Sequence, residues 1–198
     1  MTPGAPLAVI TPLWIESLAV RSALPEASVA RCGMGRANAK RFAASYAYGR
    51  PGRRALAVAG VCGSLDPRIV PGDVIVATDL LGDGPARTLE SAKPLARALE
   101  SRGIAVHLGA IRSLDHLGRR AERESLRAAG AIAIDMESAW LAALADEAPF
   151  AVLRVVSDGP GHELWSTQLF ANGIRALRAL RAAAPALATW ADSLDGET

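Results

Sequence analysis

Apolar positions along the chain fall into two rhythms. Short runs that are apolar or β-branched at nearly every position occur at Leu7–Thr11 (LAVIT), Ala27–Cys32, Leu56–Gly60, Asp73–Thr78 (DVIVAT), Val106–Ile111, Ala131–Ile134 and Phe150–Ser157 (FAVLRVVS). Runs of this kind are expected of strands buried on both faces. Longer stretches with helical character separate them: Ile15–Leu24, Ala37–Tyr48, Ala92–Ser101, Gly118–Ala129, Ser138–Asp146 and Thr167–Leu187. The alternation predicts βαβ units and an α/β fold, a single three-layer α/β/α domain with a twisted, mixed and mostly parallel sheet. Pro71-Gly72-Asp73 joins two strands with no helix between them, so this segment is a hairpin or a strand crossing. No repeat or linker divides residues 1–198, and residues 192–198 are expected to form a flexible tail.

In sheets of this type, ligands gather at the carboxyl ends of the strands. Attention therefore falls on Thr11–Glu16, Gly33–Arg36, Gly60–Leu65, Asp135–Ser138 and Ser157–Gly161.

Composition narrows the function classes. Of the 198 residues, 51% are hydrophobic and 21% charged, a globular balance. The 22 basic and 20 acidic residues nearly cancel, so nothing calls for nucleic acid or a membrane surface as partner. Arg97, Arg102, Arg119 and Arg123 are scattered over helical stretches and read as a solvated face. Cys32 and Cys62 lie far apart, with neither zinc spacing nor a disulfide framework. The N-terminal stretch has no basic segment followed by an apolar core, and no apolar run reaches spanning length. A soluble, cytoplasmic protein without stable membrane insertion is expected. His107, His116 and His162 have no ligand-spaced partners, so no metal is expected.

Each candidate segment has an ordinary structural reading. Gly60-Val61-Cys62-Gly63-Ser64 reads as a glycine-rich turn after a strand, and neither it nor Gly33–Arg36 supplies the dinucleotide fingerprint GxGxxG. Asp135 can cap a helix, with Glu137 a first-turn carboxylate facing the dipole. Asp158 before Gly159-Pro160 is ordinary turn chemistry. Trp14, Trp140, Trp165 and Trp190 read as packing or interface residues, although Trp14 and Trp165 could wall a pocket. What stands out is the combination: Glu16, Glu137 and Asp158 each lie just beyond a different strand end.

In this order the motifs resemble the nucleoside phosphorylases and their hydrolytic relatives, such as 5′-methylthioadenosine/S-adenosylhomocysteine nucleosidase. The carriers are Gly60-Val61-Cys62-Gly63-Ser64-Leu65, Val70-Pro71-Gly72-Asp73-Val74-Ile75-Val76, Asp135-Met136-Glu137, and Pro149-Phe150 through Arg154 to Ser157-Asp158. They span most of the chain. The wording Gly60 to Pro67, together with Asp135-Met136-Glu137-Ser138, is most similar to the hopanoid-associated branch, thought to remove adenine from adenosylhopane.

The resemblance implies cleavage of the N-glycosidic bond of a purine nucleoside, with adenine as the base and a 5′ substituent. Asp158, poised by Ser157, would be the acid that protonates the departing base; Glu137 would grip the ribose hydroxyls and Met136 pack on the sugar. Arg154 would support the carboxylates from behind. Val61, Cys62, Gly63 and Leu117 would line the substrate, with His116-Leu117 where an aromatic ring often stacks. Glu16 falls where the hydrolases place the residue that activates water. Val58 and Val61 occupy positions where phosphorylases carry an arginine and a hydroxyl, which favours hydrolysis. Gly33, Gly35 and Arg36 keep phosphate open as co-substrate. No other cofactor is implied, and a homodimer is expected by analogy with the hydrolases. The short segment between Thr78 and Ala92 suggests a 5′ side open to a bulky or lipid-like group. Two competing readings are phosphorolysis and an inactive nucleoside-binding protein on the same fold.

Overall fold

The computed structural model describes residues 7–47, 55–146, 148–160 and 169–194. His162 and Trp165 lie outside them, as do residues 195–198 of the expected tail.

Among the described residues eight strands form the sheet: β1 (Leu7–Thr11), β2 (Ser28–Arg31), β3 (Ala55–Ser64), β4 (Val74–Leu81), β5 (Arg87–Thr88), β6 (Val106–Ser113), β7 (Ala131–Asp135) and β8 (Phe150–Asp158). The helices are α1 (Trp14–Ala23), α2 (Arg36–Ala47), α3 (Ala92–Glu100), α4 (Arg120–Ala128), α5 (Ser138–Leu141), α6 (Leu169–Ala183) and α7 (Pro185–Ser193). A 3-10 turn at Ala142–Asp146 follows α5. Every apolar run of the sequence is a strand. The two-residue β5, antiparallel to β4, had no sequence signal.

The sheet is mixed and mostly parallel. β1 joins β2 and β3 in parallel, β3 joins β8 in parallel, and β4 joins β6, and β6 joins β7, in parallel. β8 pairs antiparallel with β4, and the end of β3 pairs antiparallel with β7 through Gly63–Ile134 and Ser64–Ala133. Strands β3, β8, β4, β6 and β7 thus close a ring. Pro71-Gly72-Asp73 makes a strand crossing: β3 and β4 flank β8, and the Gly72 N–H donates to Val156 O at 2.8 Å. Gly72 sits at φ +100°, where a side chain is strained.

Side chains alternate between two cores on opposite faces. On one face Val9, Ala57, Val76, Leu153 and Val155 pack with Val20 of α1, Leu95 and Leu99 of α3, Leu180 of α6 and Trp190 of α7. On the other, Ile10, Val58, Ile75 and Val152 pack with Ala39 and Ala43 of α2 and with Trp140 and Leu141 of α5. The three layers follow from strands with no polar face.

Three boundaries differ from expectation. The helix expected over Thr167–Leu187 is two helices, because Pro185 cannot extend a helix but is well placed to begin one. α7 continues through Asp192 and Ser193, so these two residues are helical and not part of a flexible tail. Gly60–Ser64 is not a turn: β3 runs through it, extended by its pairing with β7, with a bulge between Cys62 and Gly63.

Candidate functional site

The carboxyl ends of β1, β3, β7 and β8 converge, and each delivers a carboxylate or makes room for one. α1 starts three residues after β1, and its Glu16 is buried. Glu16 Oε2 accepts the Leu13 N–H at 2.6 Å, satisfying a donor left over at the helix start. Glu16 Oε1 accepts the Val61 N–H of β3 at 2.8 Å. Burial raises the Glu16 pKa, and the nearby Arg154 charge opposes that rise.

Arg154, fully buried in β8, is the hub. Its Nη2 lies 2.7 Å from Asp135 Oδ2 and 3.4 Å from Glu137 Oε2, and donates to Ser138 Oγ at 2.9 Å. Gly60 makes the junction with Glu16 possible. A Cβ there would stand 2.7 Å from both Arg154 Nη1 and Glu16 Oε1. The glycine is required by close approach across a strand rather than by a turn.

Asp135 ends β7 and does more than cap. Its Oδ1 accepts the Ser113 hydroxyl at 2.5 Å and the N–H groups of Glu137 and Ser138 at 3.3 Å. It fixes the segment that carries Glu137. Glu137 does not face the start of α5; its Oε1 accepts the Gly35 N–H at 2.8 Å, directly before α2. The carboxylate thus sits at the α2 N-terminus, where unpaired N–H groups favour an anion. Burial, with help from Asp135 and against Arg154, pushes Glu137 up to about 7.

Asp158 closes β8 beside Gly63, its register partner on β3. Ser157 Oγ donates to Cys62 O and to Asp158 Oδ1, both at 3.2 Å. Asp158 Oδ2 lies 2.6 Å from Arg123 Nη2. Arg123 therefore does not belong to a solvated face. Although α4 buries no residue completely, this side chain turns inward and is 17% exposed.

The remaining expected site residues divide. Met136 is half-buried and lines a cavity of about 620 Å³ together with Met34, Gly35, Arg36, Lys40 and Asp115. Gly33 and Gly35 have φ of +85° and +89°, and Arg36 pairs with Asp83 at 2.6 Å. Cys62 presents its side chain to the core, leaving only its backbone for the site. Val61 stays half-buried at the Glu16 contact. Leu117 is 56% exposed, and the neighbouring His116 is bound to Asp115 and Glu122 at the surface. Trp14 is 64% exposed and walls nothing inward. Sequence reasoning missed Asp135 as a functional group, along with Ser113, Ser138 and Arg123. Asp135 was legible within its motif; Arg123 had no signal among the other arginines of α4. Among the described residues no cluster is arranged to hold a metal ion.

Chemically, the site offers two buried carboxylates, Asp135 and Glu137, paired with one guanidinium, a third, Glu16, beside it across Gly60, and a second ion pair, Asp158 with Arg123, at Gly63 further along β3. The chain matches the phosphorylase superfamily over residues 20–186. It is similar in structure to 5′-methylthioadenosine/S-adenosylhomocysteine nucleosidase of Campylobacter jejuni, at TM-score 0.81 and 18% identity over 96% of this chain and 100% of that one. Futalosine hydrolase of Helicobacter pylori aligns at TM-score 0.76 and 18% identity, over 96% and 98% of the two chains. A Helicobacter pylori nucleosidase holding 5′-methylthioadenosine in its active site aligns at 0.77 and 19%, over 96% and 100%. No curated protein sequence matches the chain. With the profile match covering most of its length and the fold shared with nucleosidases, this chain belongs to the phosphorylase superfamily.

Proposed function

We propose that the protein hydrolyses the N-ribosidic bond of a purine nucleoside carrying a 5′ substituent. The observation that supports this most is the buried cluster in which Arg154 pairs with Asp135 and Glu137 while Glu16 stands beside it across Gly60. Water adds to C1′ as the bond from C1′ to N9 breaks; the water proton passes to Glu16, and the bond's electron pair leaves on the purine. Burial raises the proton affinity of Glu16, which suits a general base. Glu137 holds the ribose hydroxyls and favours positive charge on the sugar. Asp158 stands at the leaving-group end; it is ion-paired with Arg123, so delivering a proton requires it first to part from that partner.

Three features support water over phosphate. Val58 and Val61 offer no phosphate ligand. The Gly35 N–H, which would cradle an anion, is held by Glu137. Arg36 is neutralised by Asp83. The cavity beside Met34 and Met136 is apolar on those sides, which suits an extended 5′ group, including a lipid-like one such as in adenosylhopane.

The test is chromatography of free base after incubation with 5′-extended and unmodified purine nucleosides, with and without phosphate. Release without phosphate, yielding free sugar, is expected. Release only with phosphate would replace hydrolysis by phosphorolysis, and no release from any nucleoside would leave a binding protein. Glu16→Gln should lower kcat by about 100-fold or more while nucleoside still binds; turnover near wild type would remove Glu16 as base.

A further inference from the structure

We propose that Asp135 is a positioning residue: by drawing the Arg154 guanidinium to itself, it leaves the Glu137 carboxylate unclamped and able to take the two ribose hydroxyls; this rests on the nucleosidase reading above. Arg154 Nη2 carries two hydrogens, and three oxygens stand within 3.4 Å of it. Asp135 Oδ2 is nearest at 2.7 Å, Ser138 Oγ follows at 2.9 Å, and Glu137 Oε2 is last at 3.4 Å. A charged donor and a carboxylate that hold each other fully stand about 2.7–2.9 Å apart. Glu137 is therefore held only loosely by the cation, although all four groups are buried.

The two carboxylates differ in what else holds them. Asp135 Oδ1 accepts the Ser113 hydroxyl and the N–H groups of Glu137 and Ser138, and Oδ2 also accepts the Ser138 N–H at 3.3 Å. Glu137 accepts the Gly35 N–H at Oε1, and its Oε2 has the long contact to Arg154. Acceptor capacity therefore remains on Glu137 for the two O–H donors of a vicinal diol. The cavity beside Met34 is lined by Gly35 and Met136, the hydrogen-bond partner and the chain neighbour of Glu137, so this carboxylate stands at its edge. The groups facing Glu137 are Arg154 on β8, Asp135 at the end of β7, Glu16 on α1 and the Cys32 thiol after β2; Arg36, at the start of α2, is turned to Asp83. Burial pushes the Cys32 thiol up to about 12, so it is uncharged near neutrality. One cation is thus set against three carboxylates, and deleting the Asp135 charge would return its share of that cation to Glu137. The Glu137 pKa, raised to about 7 by burial with Arg154 opposing and Asp135 helping, should then fall.

The experiment follows the Glu137 carboxyl by carbon-13 NMR across pH in the wild-type protein, Asp135→Asn and Ser113→Ala, with the signal assigned by its loss in Glu137→Gln. Asp135→Asn keeps the shape and the Oδ1 acceptor while deleting the charge; Ser113→Ala loosens the same segment with the charge intact. The Glu137 midpoint is expected to fall by about one pH unit or more in Asp135→Asn and to stay at the wild-type value in Ser113→Ala. Equilibrium binding of adenosine and 2′,3′-dideoxyadenosine is measured alongside. Wild type should prefer the ribonucleoside by at least about tenfold, and Asp135→Asn should narrow that ratio to about threefold or less. If Asp135→Asn does not fold, Asp135→Ser, which keeps a cap without the charge, must lower the midpoint in the same way. A midpoint unchanged or raised in the charge-deleting variant, an undiminished binding ratio there, or an equal fall in Ser113→Ala overturns the assignment. A wild-type protein that binds both nucleosides alike overturns Glu137 as the holder of the ribose, and with it the nucleosidase reading, while the midpoint still judges Asp135 separately.

Discussion

At the scale of single residues, the site depends on close approach. Gly60 is open to test, because a methyl there would meet Arg154 and Glu16 at 2.7 Å. Gly60→Ala should destabilise the protein by roughly 1–3 kcal/mol and lower base release. Gly84→Ala, with nothing within 4 Å, is the control and should change neither. Denaturant melts of the two variants check this, and equal stability would show that the cluster tolerates the added methyl. Glu137 carries a pH signature. Its pKa is raised by burial to about 7 from an ordinary 4.5, so the folded protein holds this proton more tightly than the unfolded chain. The stability from this group is full below about 4.5 and is lost as the pH rises through about 7, on the order of 3 kcal/mol. The Tm should fall between pH 5 and 7.5, and Glu137→Gln should flatten part of that fall. An unchanged slope in thermal scans would show that Glu137 is not the group titrating.

At the scale of elements, the legible and the illegible separate cleanly. The strands were readable because both faces are buried, which leaves continuous apolar runs. Their ends were less readable: Gly60–Ser64 looks like a turn, yet pairing with β7 draws it into β3. α4 was readable as a helix but not by its role, since nothing in its sequence distinguishes Arg123 from its neighbours. α6 contains Gly173 with open space around it. Gly173→Ala should raise stability by up to about 1 kcal/mol, through helix propensity alone. A loss of stability in chemical denaturation would reveal a packing role for that glycine.

At the scale of the whole molecule, one sheet serves both cores. Trp190 sits in one core and Trp140 in the other, at 1% and 8% exposure. Because the strands between them contribute to both faces, the layers should unfold together. With Trp14 and Trp165 changed to phenylalanine, variants retaining only Trp140 or only Trp190 should report coincident fluorescence midpoints. Separated midpoints would mean that the layers melt independently. Among the described residues no helix is long and apolar enough to cross a membrane.

The sequence by itself determined the layers, every strand but β5, and the order of Glu16, Glu137 and Asp158, because burial on both faces and small residues at strand ends are written locally. Tertiary structure alone decided which charges meet. Arg154 gathers Asp135 and Glu137, Glu137 takes the Gly35 N–H, and Arg123 turns in to Asp158. These are pairings between strands and helices remote along the chain, and ion pairing depends on distance in space, which local pattern does not encode.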